Sequence, residues 1–133
     1  MHCRAFVFSP GGKRGVFMIT LTTELGTVNI YADVISRLVG EAATSCFGVT
    51  GMAMRSMTDG LVHMLKRESM GKGVYITYKD NSSVSVELHI IVDQDINIPV
   101  LCRSIIEQVK YKVSSVLGIQ VERVDVFVDS LER

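Results

Sequence analysis

Three histidines, three cysteines, seven methionines and a few closely spaced carboxylates and cations are the residues here whose chemistry reaches beyond packing. His2, His63 and His89 fall in unrelated stretches, without an HExxH run or a paired Cys/His spacing. Met52, Met54 and Met57 offer thioethers to a soft metal, but such a site needs Cys or His at matching spacing. Only His63 is near, so plastic core filling is the better reading of these methionines. Asp93 and Asp95 are close enough for acid–base work, yet they stand just ahead of a proline-led helix and read as turn residues. Ser114-Ser115 falls inside a helical pattern, and no serine has a GxSxG elbow around it. No catalytic residue, metal or other cofactor is expected.

Two groups of residues remain as candidates for binding. Lys66, Arg67 and Lys72 cluster around SMGKG and form a candidate anion site for a phosphate or an acidic partner. The competing reading is a solvated helix end, where cations complement the dipole. Gly71-Lys72-Gly73 is not a phosphate loop, because the GxxxxGK[ST] spacing is missing. The second group is a candidate protein interface of Tyr75, His89, Ile91 and Phe127, which alternation places on one face of a sheet.

The elements that must position these residues follow from periodicity. Leu21 to Ile30 reads as extended, with Val28 and Ile30 on one side and Thr27, Asn29 and Tyr31 on the other, as in a half-buried strand. A helix runs from about Asp33 to Cys46, its stripe made of Val34, Ile35, Leu38, Val39, Ala42, Ala43 and Cys46. Asp59 suits the N-cap of a short helix from Gly60 to Arg67 that buries Leu61, Met64 and Leu65. A hairpin follows, Val74 to Tyr78 and Val84 to Val92, around the polar tip Asp80-Asn81-Ser82-Ser83. Pro99 opens a long helix through Leu117, which Gly118 closes. The last strand, Val121 to Val128, turns Val124, Val126 and Val128 inward.

This order predicts an α+β fold: a mostly antiparallel sheet of about four strands, helices packed on one face, in a split βαβ-like arrangement. The opposite face would carry Asn29, Tyr75, Thr77, Glu87, His89, Ile91, Arg123, Asp125 and Phe127. Left uncovered, such a patch marks an interface; the methionine segment folding back over it is the alternative.

Bulk properties narrow the function. Hydrophobic residues make up 47% and charged ones 21%, a composition for one packed domain rather than disorder. Fourteen basic side chains balance fourteen acidic ones, which removes the broad electrostatic attraction to nucleic acid or anionic membrane. An RNA-binding sheet would need stacking aromatics and a basic rim, whereas this face offers Tyr75 and Phe127 beside Glu87 and Asp125. Cys3, Cys46 and Cys102, odd in number and without a CxxC pair, read as reduced thiols of a cytosolic protein. No apolar run approaches the roughly 20 residues of a membrane span. Residues 1–17 differ from the rest, with the breaker-rich SPGGKRG ahead of a second methionine, Met18. Two readings stand: a translated ribosome-binding sequence before a native start at Met18, and a flexible basic arm. Residues 18–133 form the expected domain.

Taken as ordered blocks, GTVNIYADVISRLVGEAATSCFGVTGM, DGLVHMLKRESMGKGV, VELHIIVDQDINIPVL and IIEQVKYKVSSVLGIQVERVDVFVDSL resemble the alkaline-shock-protein, or envelope stress response, family of Gram-positive bacteria, closest to its small YloU-type members. The resemblance runs from Met18 to about Leu131 and departs at Tyr31, where the family has a serine-type helix cap. It implies a cytoplasmic, non-enzymatic protein of envelope homeostasis that self-associates as a homo-oligomer. It also implies, in some members, peripheral contact with the membrane through a small membrane-anchored partner. The family's gene neighbourhood, with a fatty-acid kinase, implies an alternative role as regulatory or ligand-binding partner of that kinase. It has no catalytic residues to carry over.

Overall fold

A computed structural model describes residues 2–6, 18–55, 60–78 and 83–132. The chain opens with a three-stranded antiparallel sheet, β1 (His2–Phe6), β2 (Met18–Thr23) and β3 (Gly26–Tyr31), in the order β1-β2-β3. β2 and β3 form a hairpin in which Thr23 Oγ1 donates to the Gly26 carbonyl at 3.0 Å. Its inward residues are paired Ile19 with Ile30 and Leu21 with Val28, and burial fades toward the turn: Ile19 is buried and Val28 exposed. The expected Leu21–Ile30 strand is thus this hairpin. Asn29 bonds to Thr20 across it and does not lie on the main sheet.

Helix α1 (Ala32–Thr44) follows directly. Tyr31 precedes it in extended conformation and gives no side-chain cap, as its aromatic ring dictates, while Asp33 supplies the carboxylate of the first turn. Ile35, Val39, Ala42 and Ala43 form the buried stripe; Val34, at its margin, stays half exposed.

The methionine segment is a strand, β4 (Val49–Arg55), and the predicted Gly60–Arg67 helix is not formed. Val62–Met64 is strand β5, antiparallel to β4, and a 3-10 helix runs Arg67–Gly73. Asp59, the proposed cap, lies outside the described residues. The physical reason is local: β5 supplies hydrogen-bond partners to an edge of β4 that a helix would leave open, and Leu65 N–H continues the link to Met52 O at 2.8 Å. Two glycines permit the packing. A Cβ on Gly51 would stand 3.1 Å from the Met64 side chain, and one on Gly73 would stand 2.8 Å from the Ala53 carbonyl oxygen.

β6 (Val74–Tyr78), β7 (Ser83–Asp93) and β8 (Gln120–Glu132) complete a five-stranded sheet. β7 is its axis. The parallel ladder to β8 takes one edge along its whole length; the other is shared end to end by β6, opposite Val84–Leu88, and β4, opposite Ile90–Val92. Helix α2 (Ile98–Lys112) joins β7 to β8 as a direct βαβ unit with no strand between them. Asn97 caps it by accepting from Val100 N–H at 3.3 Å, and Pro99 sits in the first turn. A π turn, Val113–Leu117, ends at Gly118 in the left-handed region (φ 68°). Ile35, Val39, Leu101, Ile105, Val109 and Val113 from the helices meet Val84, Val86, Leu88 and Ile90 of β7 in one core. The fold class is the expected one, α+β with mostly antiparallel strands, the β7–β8 pair being parallel.

Candidate interaction surface

The two helices cover one side of the β6–β7–β8 sheet through the buried residues Val84, Val86 and Leu88. Alternation turns Tyr75, Glu87, His89, Asp125 and Phe127 to the other side, where Tyr75 pairs with Glu87, Glu87 with Asp125 and His89 with Phe127. His89 is the hub. Its ring stacks on Phe127 (centroids 4.9 Å, planes 14° apart) and meets Tyr75 edge-on at 5.6 Å and 87°. Both ring nitrogens face carboxylates: Nδ1 lies 3.0 Å from Asp129 Oδ2, and Nε2 lies 2.9 Å from Glu87 Oε1. A neutral imidazole donates from one nitrogen and an imidazolium from both. The ring is mostly covered, whereas Tyr75 and Phe127 remain 53% and 45% exposed. Arg123 closes the rim with a 2.9 Å bond from Nε to Asp125 Oδ1.

Three of the four candidate interface residues therefore meet, and the fourth does not. Ile91 is buried, at 5% exposure. The ladder shifts between Ile90 and Ile91, and opposite Ile91 stands Gly51 with the Met64 side chain against it. Ile90, Ile91 and Val92 are consequently buried in succession, so both faces are covered at this end of β7. Met64 of β5 stands beside this end of the outer face; the methionine segment does not fold back over the sheet but is, through Arg55, a strand within it, and Met57 lies outside the described residues.

Asp129 was legible in principle. It follows Phe127 at a spacing of two, and extending the strand past Val128 assigns it to the same face.

Lys66 and Lys72 of the proposed cation cluster lie in different surroundings. Lys72 lines an open cleft of about 450 Å³ between α1 and the 3-10 helix, together with Arg37, Ser36, Ser69 and Asp33. Lys66 is exposed and outside that lining, and the side chain of Arg67 lies outside the described residues. Arg37 shares that lining with Lys72 and lies 3.9 Å from Glu41 on its own helix.

The remaining chemistry-bearing groups lie apart. Cys46 and Cys102 are free thiols. Burial pushes both up, offset in Cys46 by a hydrogen bond with Ser104. Among the described residues no three His, Cys, Asp or Glu side chains are placed to hold a metal ion, and no helix is long and apolar enough to cross a membrane.

Comparison with known sequences agrees with the order of blocks along the chain. The profile of the alkaline shock protein 23 family, of cell envelope-related function, matches residues 20–133. YloU of Bacillus subtilis (strain 168) is 30% identical over 114 residues, 85% of this chain and 94% of that protein. Spy1614 of Streptococcus pyogenes serotype M6 is 31% identical over 115 residues, 86% of this chain and 94% of its own length. In shape, a zinc form of MamM CTD superposes with a TM-score of 0.47 at 17% identity, over 76% of this chain and 87% of that one.

Proposed function

Since this chain belongs to the alkaline shock protein 23 family, of cell envelope-related function, we propose that it is a non-catalytic, cytoplasmic adaptor. In this reading it self-associates and engages a small membrane-anchored protein at the inner side of the envelope. The observation that carries the reading is the outer sheet face, where His89 fixes two half-exposed aromatic rings from neighbouring strands. Aromatic side chains held in place by packing lose little entropy on binding, and they are the usual anchors of protein interfaces.

The energy scale limits what the patch does alone. Covering the exposed half of each ring removes on the order of 100 Å² of apolar surface, worth about 2.5 kcal/mol apiece. Two rings then give about 5 kcal/mol per copy, near the lower bound of the roughly 4–15 kcal/mol that association costs. The patch orients a partner, and further contacts must hold it.

Phe127→Asp and Tyr75→Asp test the reading. The parent chain, 14.7 kDa as a monomer, is expected to run as an oligomer by light scattering, and either variant as a folded monomer that no longer co-purifies the membrane-anchored protein. Unchanged assembly and unchanged capture in a folded Phe127→Asp variant would remove this face from the argument.

A further inference from the structure

The cleft between α1 and the 3-10 helix holds polar groups that the fold does not use. Its floor lies where the two backbones meet: a Cβ on Gly71 would stand 3.5 Å from the Ser36 Cβ and 3.6 Å from the Arg37 nitrogen. Arg37 and Lys72 therefore start from adjoining backbone, with Ser36 and Ser69 in the same lining. Among the described residues, Lys72 and Asp33 make no ion pair, and neither serine hydroxyl makes a hydrogen bond. Arg37 reaches Glu41 at 3.9 Å, with both side chains more than half exposed, which is a weak tie.

We propose that this cleft binds a small, soluble phosphate monoester that carries a hydroxyl group. Arg37 and Lys72 take the phosphate, the serine hydroxyls donate to it, and Asp33 accepts from the hydroxyl of the ligand. The site shares no residue with the outer sheet face, so it stands or falls apart from self-association.

Donor chemistry selects the phosphate. A guanidinium presents parallel N–H groups, an ammonium presents several more, and each serine adds one. The three terminal oxygens of a phosphate accept from several directions, whereas the two oxygens of a carboxylate share one plane. Asp33 selects against the bare ion. When ionised its carboxylate only accepts, so it repels phosphate itself and favours a ligand that brings a donor. It stands one helical turn before Arg37, about 6 Å along the axis, close to the separation between a phosphate and a hydroxyl a few bonds away. The cleft, about 450 Å³, has room for such a molecule. A lipid surface fits less well, because the lining is a recess and the balanced charge of the chain gives no broad attraction to anionic membrane. Exposed, salt-screened cations set the affinity in the millimolar range.

Nuclear magnetic resonance titration of the full chain with glycerol 3-phosphate tests the site. Expected are saturable amide shifts confined to residues 33–37 and 69–74. Arg37→Gln or Lys72→Gln should raise Kd at least about 5-fold, while Lys66→Gln, outside the cleft, should change it less than about 2-fold. Inorganic phosphate should bind at least about 3-fold more weakly than glycerol 3-phosphate, and that preference should vanish in Asp33→Ala. Shifts that sodium chloride reproduces at equal ionic strength, or equal weakening by Lys66→Gln and Lys72→Gln, overturn the site. A preference that persists in Asp33→Ala overturns the part given to Asp33. Capture by vesicles of phosphatidic acid in phosphatidylcholine, without binding of the soluble ester, overturns the proposal in favour of a lipid surface.

Discussion

Replacing His89 by phenylalanine separates the two things that residue does. Phenylalanine keeps a flat ring against Phe127, which the imidazole meets at 4.9 Å and 14°, but it donates no hydrogen bond. Asp129 Oδ1 and Oδ2 lie 3.2 and 3.0 Å from Nδ1, and its side chain is only 10% exposed. The substitution therefore leaves a nearly buried carboxylate without that partner, at a cost of about 1–3 kcal/mol. The Glu87 side contributes little, since Glu87 is 44% exposed and water replaces the ring there. Unfolding entropy of about 2.1 cal/mol/K per residue gives a chain of this length about 0.28 kcal/mol/K, so the expected fall in Tm is about 4–11 °C. Calorimetry on His89→Phe, Glu87→Gln and His89→Phe/Asp129→Leu reads it. Glu87→Gln should stay within about 0.5 kcal/mol of the parent. The double variant should recover most of the loss, because removing both partners of a buried hydrogen bond is far less costly than orphaning one. A His89→Phe loss no larger than that of Glu87→Gln, or no recovery in the double variant, would refute this account of the hub.

Other consequences are direct. Gly73→Ala drives a Cβ to within 2.8 Å of the Ala53 carbonyl oxygen, so strand β4 and the 3-10 helix must separate, and chemical denaturation should show a loss of about 1–3 kcal/mol. Gly71→Ala, whose added Cβ would find its nearest neighbour at an ordinary 3.5 Å, is its control and should cost well under 1 kcal/mol. Gly118→Ala meets no neighbour but inherits φ +68°, and about 1–2 kcal/mol of left-handed strain should appear as a lower unfolding midpoint. Because burial raises the thiols of Cys46 and Cys102, the thiolate fraction at pH 7.5 falls. In a Cys3→Ser background both should alkylate several-fold more slowly than free cysteine, and closer to it once the pH exceeds their raised values. Equal rates at pH 7.5 would contradict the burial.

Periodicity located α1, the β6–β7 hairpin, α2 and β8 because each carries several turns or alternations of one pattern. It failed over Gly60–Arg67, where Leu61, Met64 and Leu65 fit a helical stripe for barely two turns. Pairing with β4 outweighed that short pattern, a long-range choice no local spacing records. The same limit applies to Ile91. Alternation assigns it correctly away from α1 and α2, but whether anything covers the other face depends on β5, which is distant in sequence. Tyr75, His89 and Phe127 were legible as one face, since the ladders are regular where they lie, Val74–Tyr78 of β6, Ser85–Ile90 of β7 and Arg123–Val128 of β8. For Lys66 and Lys72, proximity in sequence does not say which turns toward α1, and the structure sets Lys72 against it.

The unequal cover of the sheet is what ties fold to function. At the Asp93 end of β7, β5 and Met64 close the second face, and Gly51 has no side chain so that they can. At the Ser83 end, β6 replaces β4 along the same edge and brings Tyr75, which stays 53% exposed. A charge placed at each end should therefore act differently. Ile91→Asp buries an unpaired carboxylate and should abolish cooperative unfolding. Phe127→Asp, at a side chain 45% exposed, should leave the unfolding free energy within about 1 kcal/mol of the parent while changing the oligomer. Circular dichroism melts beside light scattering on the two variants decide it. If Phe127→Asp also unfolds the chain, the outer face is part of the core and not a surface for partners.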